Sequence, residues 1–283
     1  MPMSKALRVQ HGSFGRVALL DLNDSLIVHA HPQSHMVIKI GGADAAFVVG
    51  DHSVQLTRRR LALINDWEPH RYQHKAPGAS TLVLALYLER QWLDLQRLAV
   101  TSTHSFPVPQ LEADDQLLGA IDALSSQLLF QADGVENCEF ALSNVLRLVD
   151  CGCALQPGPR LLMDPPKSQA EVDRRLARCV EHMRNNLSCR QPIEEVVAQF
   201  GLSRPHAFYL FQRHFGMGPA AYWNVLRMEY AIFQLQSRPD SPISHIAAEL
   251  GFESQGNFTR FFRGVQGVAP KDYQSAAWLR RVA

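Results

Sequence analysis

The sequence predicts a two-domain α+β chain, an antiparallel β domain with added helices followed by an all-α domain, and three observations predict it. Between about Arg16 and Leu88 the segments VALLDL, SLIVHAH, HMVIKI, AAFVV, SVQLT, LALIN and TLVLALYL are short and rich in Val, Ile and Leu. Gly, Asp, Asn or Pro turns separate them. Beyond residue 90 the apolar period becomes helical, with Leu117, Ile121, Leu124 and Leu128, then Leu142, Val145, Leu146 and Val149. Finally, the last hundred or so residues repeat themselves.

Strands of such even spacing suggest a closed antiparallel barrel or jelly roll, with the two helices packed on it. The first helix also has the a/d spacing of a pairing helix. A homodimer through residues 112–150 is therefore expected. The stretch ALQPGPRLLMDPPKSQ, with four prolines, reads as a linker. The expected division is a first domain with the dimer surface over 1–155, a linker over 156–170 and a second domain over 171–283. A chain of 283 residues suits two domains of roughly 100–150 residues each.

The repeat carries most of the information. One copy runs PIEEVVAQFGLS, RPHAFYLFQRHFG and on to Tyr222; the other runs PISHIAAELGFES, QGNFTRFFRGVQG and on to Tyr273. Pro192 and Pro242, Gly201 and Gly251, and Phe211 and Phe261 are each 50 residues apart, while Pro219 and Pro270 are 51 apart. In each copy a proline suits a helix start, an apolar stripe follows, and a glycine stands where a left-handed turn ends the helix. The stripes are Ile193, Val196, Val197 and Phe200, matched by Ile243, Ile246, Ala247 and Leu250. A second helix follows at once, and the whole is the plan of a helix-turn-helix. Residues 219–236 read as a single helix between the copies.

Charge agrees with this division. Residues 171–283 hold 14 Lys+Arg against 10 Asp+Glu, while residues 1–170 hold 14 against 17. A basic second part suits a nucleic-acid partner. No apolar segment is long enough to span a bilayer and no secretory signal is visible, so a cytoplasmic protein with no membrane partner is expected. The five cysteines lack a C-x-x-C pair and read as free thiols.

The segment GFESQGNFTRFFRGVQGVAPKDY resembles the signature stretch of the AraC/XylS family of transcription regulators, and the resemblance covers residues 171–275. It implies a seven-helix domain with two helix-turn-helix units that recognises promoter sites in double-stranded DNA. It also implies activation of transcription, with RNA polymerase as a partner. On the helical wheel Gln255, Gly256, Thr259, Arg260 and Arg263 lie on the outer or leading face of the second recognition helix, with Asn257 beside them. Gln and Arg read adenine and guanine edges, and Thr can meet a thymine methyl. The first recognition helix shows Arg204, Pro205, His206, Phe208, Tyr209 and Arg213. The resemblance puts base contacts at Pro205, Phe208 and Tyr209, where polar side chains are usual. Two outward aromatics need a partner, either DNA or another domain.

Four histidines form a second pattern: His29-Ala-His31-Pro-Gln-Ser-His35, then His70 in WEPHRY. On a strand, His29 and His31 point to one side. Residues 25–90 resemble a cupin, whose His-x-His pair and distant histidine bind a metal inside the barrel. His35 stands where that family has a glutamate, and the second motif keeps only its Pro-His. Imidazoles suit zinc, iron, nickel or copper. Three readings stand: a metal site, a metal-free pocket for an organic effector, and structural histidines. The combined resemblance implies a regulator controlled by a small-molecule effector. The alternative is a metal-dependent cupin enzyme, a dioxygenase or isomerase, fused to a DNA-binding domain.

Overall fold

A computed structural model describes residues 4–97, 106–130, 135–155 and 173–278. The linker expected over 156–170 lies outside the described residues. The chain forms two compact units, Met1–Arg160 with Arg263–Ala283, and Leu161–Phe262.

The first unit begins with strands β1 (Lys5–Gly12), β2 (Gly15–Leu22), β3 (Ser34–Gly42), β4 (Ala45–Val49) and β5 (His52–Leu56). It continues with β6 (Arg60–Ile64), β7 (His70–His74), β8 (Thr81–Leu88), α1 (Arg90–Arg97), β9 (Gln110–Glu112), α2 (Asp115–Phe130) and α3 (Val135–Leu155). The strands make a six-stranded sheet in the order β1-β2-β8-β3-β6-β9 and a three-stranded sheet in the order β5-β4-β7. Every pairing is antiparallel.

The closed cupin-like barrel expected from the strand spacing is not what forms. The strands make two open sheets instead. The short strands β4, β5 and β7 pair among themselves, and the large sheet ends in β1 and β9. A further correction concerns SLIVHAH, expected as a strand. It is an irregular connection between β2 and β3 that touches β7 through one bridge, His29 to His70.

Both faces of the large sheet are buried, which explains runs such as TLVLALYL that hardly alternate in polarity. One face presents Val17, Leu19, Met36, Ile38, Leu61, Leu63, Leu84, Leu86 and Leu88 to the helices. Leu117, Ile121, Leu124 and Leu128 of α2 join that core, as do Leu142, Val145, Leu146 and Val149 of α3. Burial of each such Leu or Ile side chain contributes roughly 1.5–3 kcal/mol. The stripe expected to pair two chains is thus spent inside its own chain. The opposite face presents Arg16, His35 and Tyr87, and His35 meets Phe47 of the small sheet at 5.9 Å between rings.

The remaining helices are α4 (Arg174–Asn185), α5 (Ile193–Ala198), α6 (Arg204–Phe215), α7 (Pro219–Ser237), α8 (Ile243–Glu249), α9 (Gln255–Gln266) and α10 (Pro270–Trp278). Residues 219–236 are one helix, as the sequence predicts. The turn glycines Gly201 and Gly251 have φ of +72° and +77°, left-handed backbone that a side chain disfavours. The indole of Trp223 on α7 donates to Met183 O at 3.0 Å, and Arg227 donates to Leu187 O and Cys189 O at 2.9 and 2.7 Å. These bonds tie α7 to the end of α4. Arg238 grips both oxygens of Glu249 at 2.8 and 2.9 Å, joining α7 to α8. Among the described residues no helix is long and apolar enough to cross a membrane.

Helix α10 lies against β1 within the first unit. The hydroxyl of Tyr273 meets His11 Nε2 at 3.1 Å. Burial, aided by the charge of Arg16, pushes the His11 pKa down to about 3.

Two predictions follow from this packing. A Cβ at Gly251 would stand 2.3 Å from Ser188 O, whereas at Gly201 the nearest atom is Arg175 Cδ at 3.9 Å. Gly201→Ala should cost only the left-handed strain of about 1–2 kcal/mol, and Gly251→Ala distinctly more. Urea unfolding should separate the two variants; equal losses would contradict the Ser188 contact. His11 binds fewer protons folded than unfolded, so its contribution is complete above pH 6.5 and declines as pH falls toward 3. The melting temperature should therefore be lower at pH 5 than at pH 7.5, and His11→Gln should narrow that difference.

Candidate nucleic-acid interface and histidine cluster

Helices α6 and α9 are each started by a serine. Ser203 Oγ accepts from His206 N at 3.4 Å, and Ser254 Oγ accepts from Asn257 N at 3.1 Å. Such a cap satisfies an amide that the helix itself leaves unpaired. Ala207, Leu210 and Phe211 hold α6 to its unit, while Phe258 and Phe262 hold α9. The opposite faces are left outward.

On α9 the residues Gln255, Gly256, Asn257, Arg260 and Arg263 are exposed and Thr259 is half-buried. Arg260 Nη1 reaches Asn257 Oδ1 at 3.5 Å, one turn back on the same face. On α6 the residues Arg204, Pro205, Phe208, Tyr209 and Arg213 are exposed and His206 is half-buried. Arg204 pairs with Glu194 at 3.5 Å, and Arg213 donates to the Tyr209 hydroxyl at 3.3 Å. His206 lies 3.7 Å from Asp173, which Arg175 also holds at 2.7 Å. The bonds from Arg175 keep the Asp173 carboxyl well below its ordinary pKa. Phe208 leans over Gly218, where a Cβ would stand 3.0 Å from the ring.

The four histidines do converge, and a tight turn brings them together. Trp67 has φ of +59°, a left-handed conformation rare outside glycine. Its N–H donates to His31 O at 2.8 Å. Reciprocal backbone bonds of 3.0 and 2.9 Å join His29 to His70. Ring centroids are 4.4 Å apart for His29–His70, 4.9 Å for His31–His70, 4.5 Å for His35–His70 and 4.7 Å for His31–His35. Tyr87 packs 5.2 Å from His31, and the Arg16 guanidinium stacks 3.7 Å above Tyr87. Arg16 and Tyr87 were not among the expected site residues. Only the strand register, which turns both toward the small sheet, reveals them.

The protonation states follow from partners and burial. His29 Nδ1 lies 2.9 Å from Ile27 O and His70 Nδ1 lies 2.7 Å from Glu68 O. A carbonyl only accepts, so both Nδ1 atoms carry hydrogen and both Nε2 atoms keep a lone pair. His35 Nδ1 and His31 Nε2 share one proton at 2.8 Å. Burial, assisted by neighbouring histidines and Arg16, pushes His31 and His35 well below the ordinary imidazole pKa, although the Gln33 backbone pulls His31 weakly the other way. Burial and the nearby His29 do the same for His70, and burial takes His29 to about 4. All four rings are neutral at physiological pH. One ring nitrogen each from His29, His31 and His70 lies within 4.8 Å of the others, a group that could hold a metal ion. His35 is not part of that group.

Residues 196–276 match the family model of a helix-turn-helix domain. The chain is similar to an uncharacterized HTH-type transcriptional regulator of Haemophilus influenzae, at 27% identity over 146 residues, covering 52% of this chain and 48% of that one. It is also similar to the HTH-type transcriptional regulator MtrA of Neisseria gonorrhoeae, at 26% identity over 102 residues, 36% of this chain and 34% of the other. The chain thus spans about half or less of the length of these curated relatives. Among solved structures, apo ToxT of Vibrio cholerae shares the fold with a TM-score of 0.62 at 13% identity, covering 95% of this chain and 100% of that one. ToxT with bound unsaturated fatty acid gives 0.52 at 13% identity, covering 91% and 94%. Residues 196–276 are therefore a helix-turn-helix domain.

Proposed function

We propose that the protein is a sequence-specific DNA-binding transcriptional regulator, an activator, controlled by a small-molecule effector in its N-terminal unit. The observation that carries this reading is the pair of serine-capped helices, each projecting from a glycine turn with polar or aromatic side chains outward. Arg260 reads a guanine edge, Gln255 an adenine edge, and Arg263 grips phosphate. Asn257 orients Arg260, and Thr259 meets a thymine methyl from its half-buried position. Phe208 and Tyr209 meet thymine methyls or sugar edges, with Arg204, His206 and Arg213 around them.

The effector site is the histidine cluster. Its imidazoles offer nitrogen to a transition ion such as zinc, iron, nickel or copper, and Arg16 offers charge to an acidic small molecule. That ToxT is known with a bound fatty acid supports an organic effector in a fold of this kind. A metal-dependent cupin enzyme, the alternative reading, loses its basis with the closed barrel it requires. The regulator acts as a homodimer and contacts RNA polymerase. With the apolar stripes of α2 and α3 buried, the apolar surface left for pairing includes Phe130, Phe140 and Leu155, exposed by 82%, 79% and 83%.

Selection of binding sites from a random DNA pool should yield a defined sequence for the full chain. Arg260→Ala should cost about 1–3 kcal/mol and relax choice at one position. An equal loss on specific and random DNA would make Arg260 a phosphate contact. Phe208→Ala and Tyr209→Ala should weaken operator binding; unchanged affinity in both removes that face from the interface. In sedimentation, Phe140→Glu should shift the protein toward monomer, and a wild type that stays monomeric with and without DNA would refute the dimer.

A further inference from the structure

We infer that the connection between β2 and β3 caps the last turn of α9 through Ile27, so that the histidine cluster and the seat of Arg263 share one residue. The inference rests on the reading of the cluster as the effector site and of Arg263 as a phosphate contact, and it names how the one acts on the other.

The connection is held at two points. Leu26 N donates to Tyr72 O at 3.0 Å, and His29 exchanges backbone bonds with His70. Between these points Ile27 serves two further partners. Its carbonyl accepts from His29 Nδ1 at 2.9 Å, and its N–H donates to Gly264 O at 3.0 Å. Arg263 and Gly264 stand in the last turn of α9, and both belong to the first unit together with the connection. The carbonyls of a last helical turn lack partners within the helix. Gly267 N closes on Arg263 O at 2.9 Å, and Ile27 N takes the carbonyl that follows.

Two glycines fit this contact. Gly267 ends α9 with φ of +76°, and a Cβ there would stand 2.8 Å from Leu22 and 3.0 Å from Leu26. Gly264 lies inside the helix, where glycine weakens it. The matching residue of α6, 51 positions earlier, is Arg213. The three atoms nearest to a Cβ added at Gly264 all belong to Ile27, the first of them at 3.5 Å. The two copies of the repeat thus part company where one of them receives the connection, and a larger side chain at Gly264 would push Ile27 away.

The link can be released from the cluster. A ligand that turns the His29 ring withdraws its hydrogen from Ile27 O and frees the peptide that caps α9. Ile27 is 56% exposed, so its hold lies in the main chain and little apolar packing opposes the release. Arg263 then loses its fixed seat, although the ligand touches no DNA-reading residue. The segment as a whole stays in place, because α10 keeps a separate hold on β1 through Tyr273 and His11.

The test uses the full chain and needs no ligand, since substitutions at both ends of the link mimic its release. Amide hydrogen exchange reads the link itself. The Ile27 amide should be protected in the wild type, and His29→Ala and Gly264→Leu should each speed its exchange about ten-fold or more. Gly264→Ala, whose Cβ makes an ordinary contact, should keep the protection. Operator binding then reads the consequence. Arg263→Ala should lower the salt slope of binding by about one. His29→Ala and Gly264→Leu should lower it toward the same value. Adding Arg263→Ala to either should bring no further loss, because both act through that side chain. Circular dichroism confirms that each variant is folded. A wild-type Ile27 amide that exchanges as fast as an open loop overturns the link, and so do folded variants with unchanged protection. Losses that add to that of Arg263→Ala overturn the coupling, as does an unchanged slope in Arg263→Ala itself. A chain that selects no DNA sequence sinks the regulator reading, and the exchange rates then decide the link on their own.

Discussion

The architecture of the first unit depends on one constraint: the six-stranded sheet is buried on both faces, so neighbouring residues of a strand belong to different interiors. On β3, Met36 and Ile38 enter the helical core while His35 turns toward the small sheet. On β8, Leu86 and Leu88 face the helices and Tyr87 faces the histidines. A shift of one residue in register would exchange these two sets. It would put imidazole and phenol among leucines and leave the cluster without His35. The apolar core and the polar cluster are therefore fixed by the same alignment.

The second unit is organised differently, through short-range chemistry written twice. Each helix-turn-helix uses a proline before the first helix, a left-handed glycine after it and a serine at the head of the second. Buried apolar side chains such as Leu210, Phe211, Ile246 and Phe258 join these pieces, and polar links add to them: the Trp223 indole, the Arg227 guanidinium and the clasp of Arg238 on Glu249. Such links hold helices at set angles while leaving the outward faces clear.

This contrast explains what could be read from the sequence. The repeat, the turn glycines and the helix over 219–236 rest on signals within a few residues of one another, and the chain shows them directly. Sheet closure does not, because a period of two reveals which residues are buried but not which strand lies beside which. β1 escaped notice since KALRVQHG is an edge strand with several partly exposed residues, and β9 is three residues long. The histidines were legible as a set, although His29 sits in a connection where a strand was expected. Its neighbours Arg16 and Tyr87 come from distant strands. No local pattern marks them.

Behind their serine caps, α6 and α9 begin differently. At the position after the first helical residue, α6 has Pro205 where α9 has Gly256, 51 residues later. Proline has no amide hydrogen, and glycine has both that hydrogen and no side chain to shield it. A helix start attracts anions through such free amides. At this position the main chain of α9 thus carries an anion-attracting donor that α6 lacks, and whatever α6 offers there comes from its side chains.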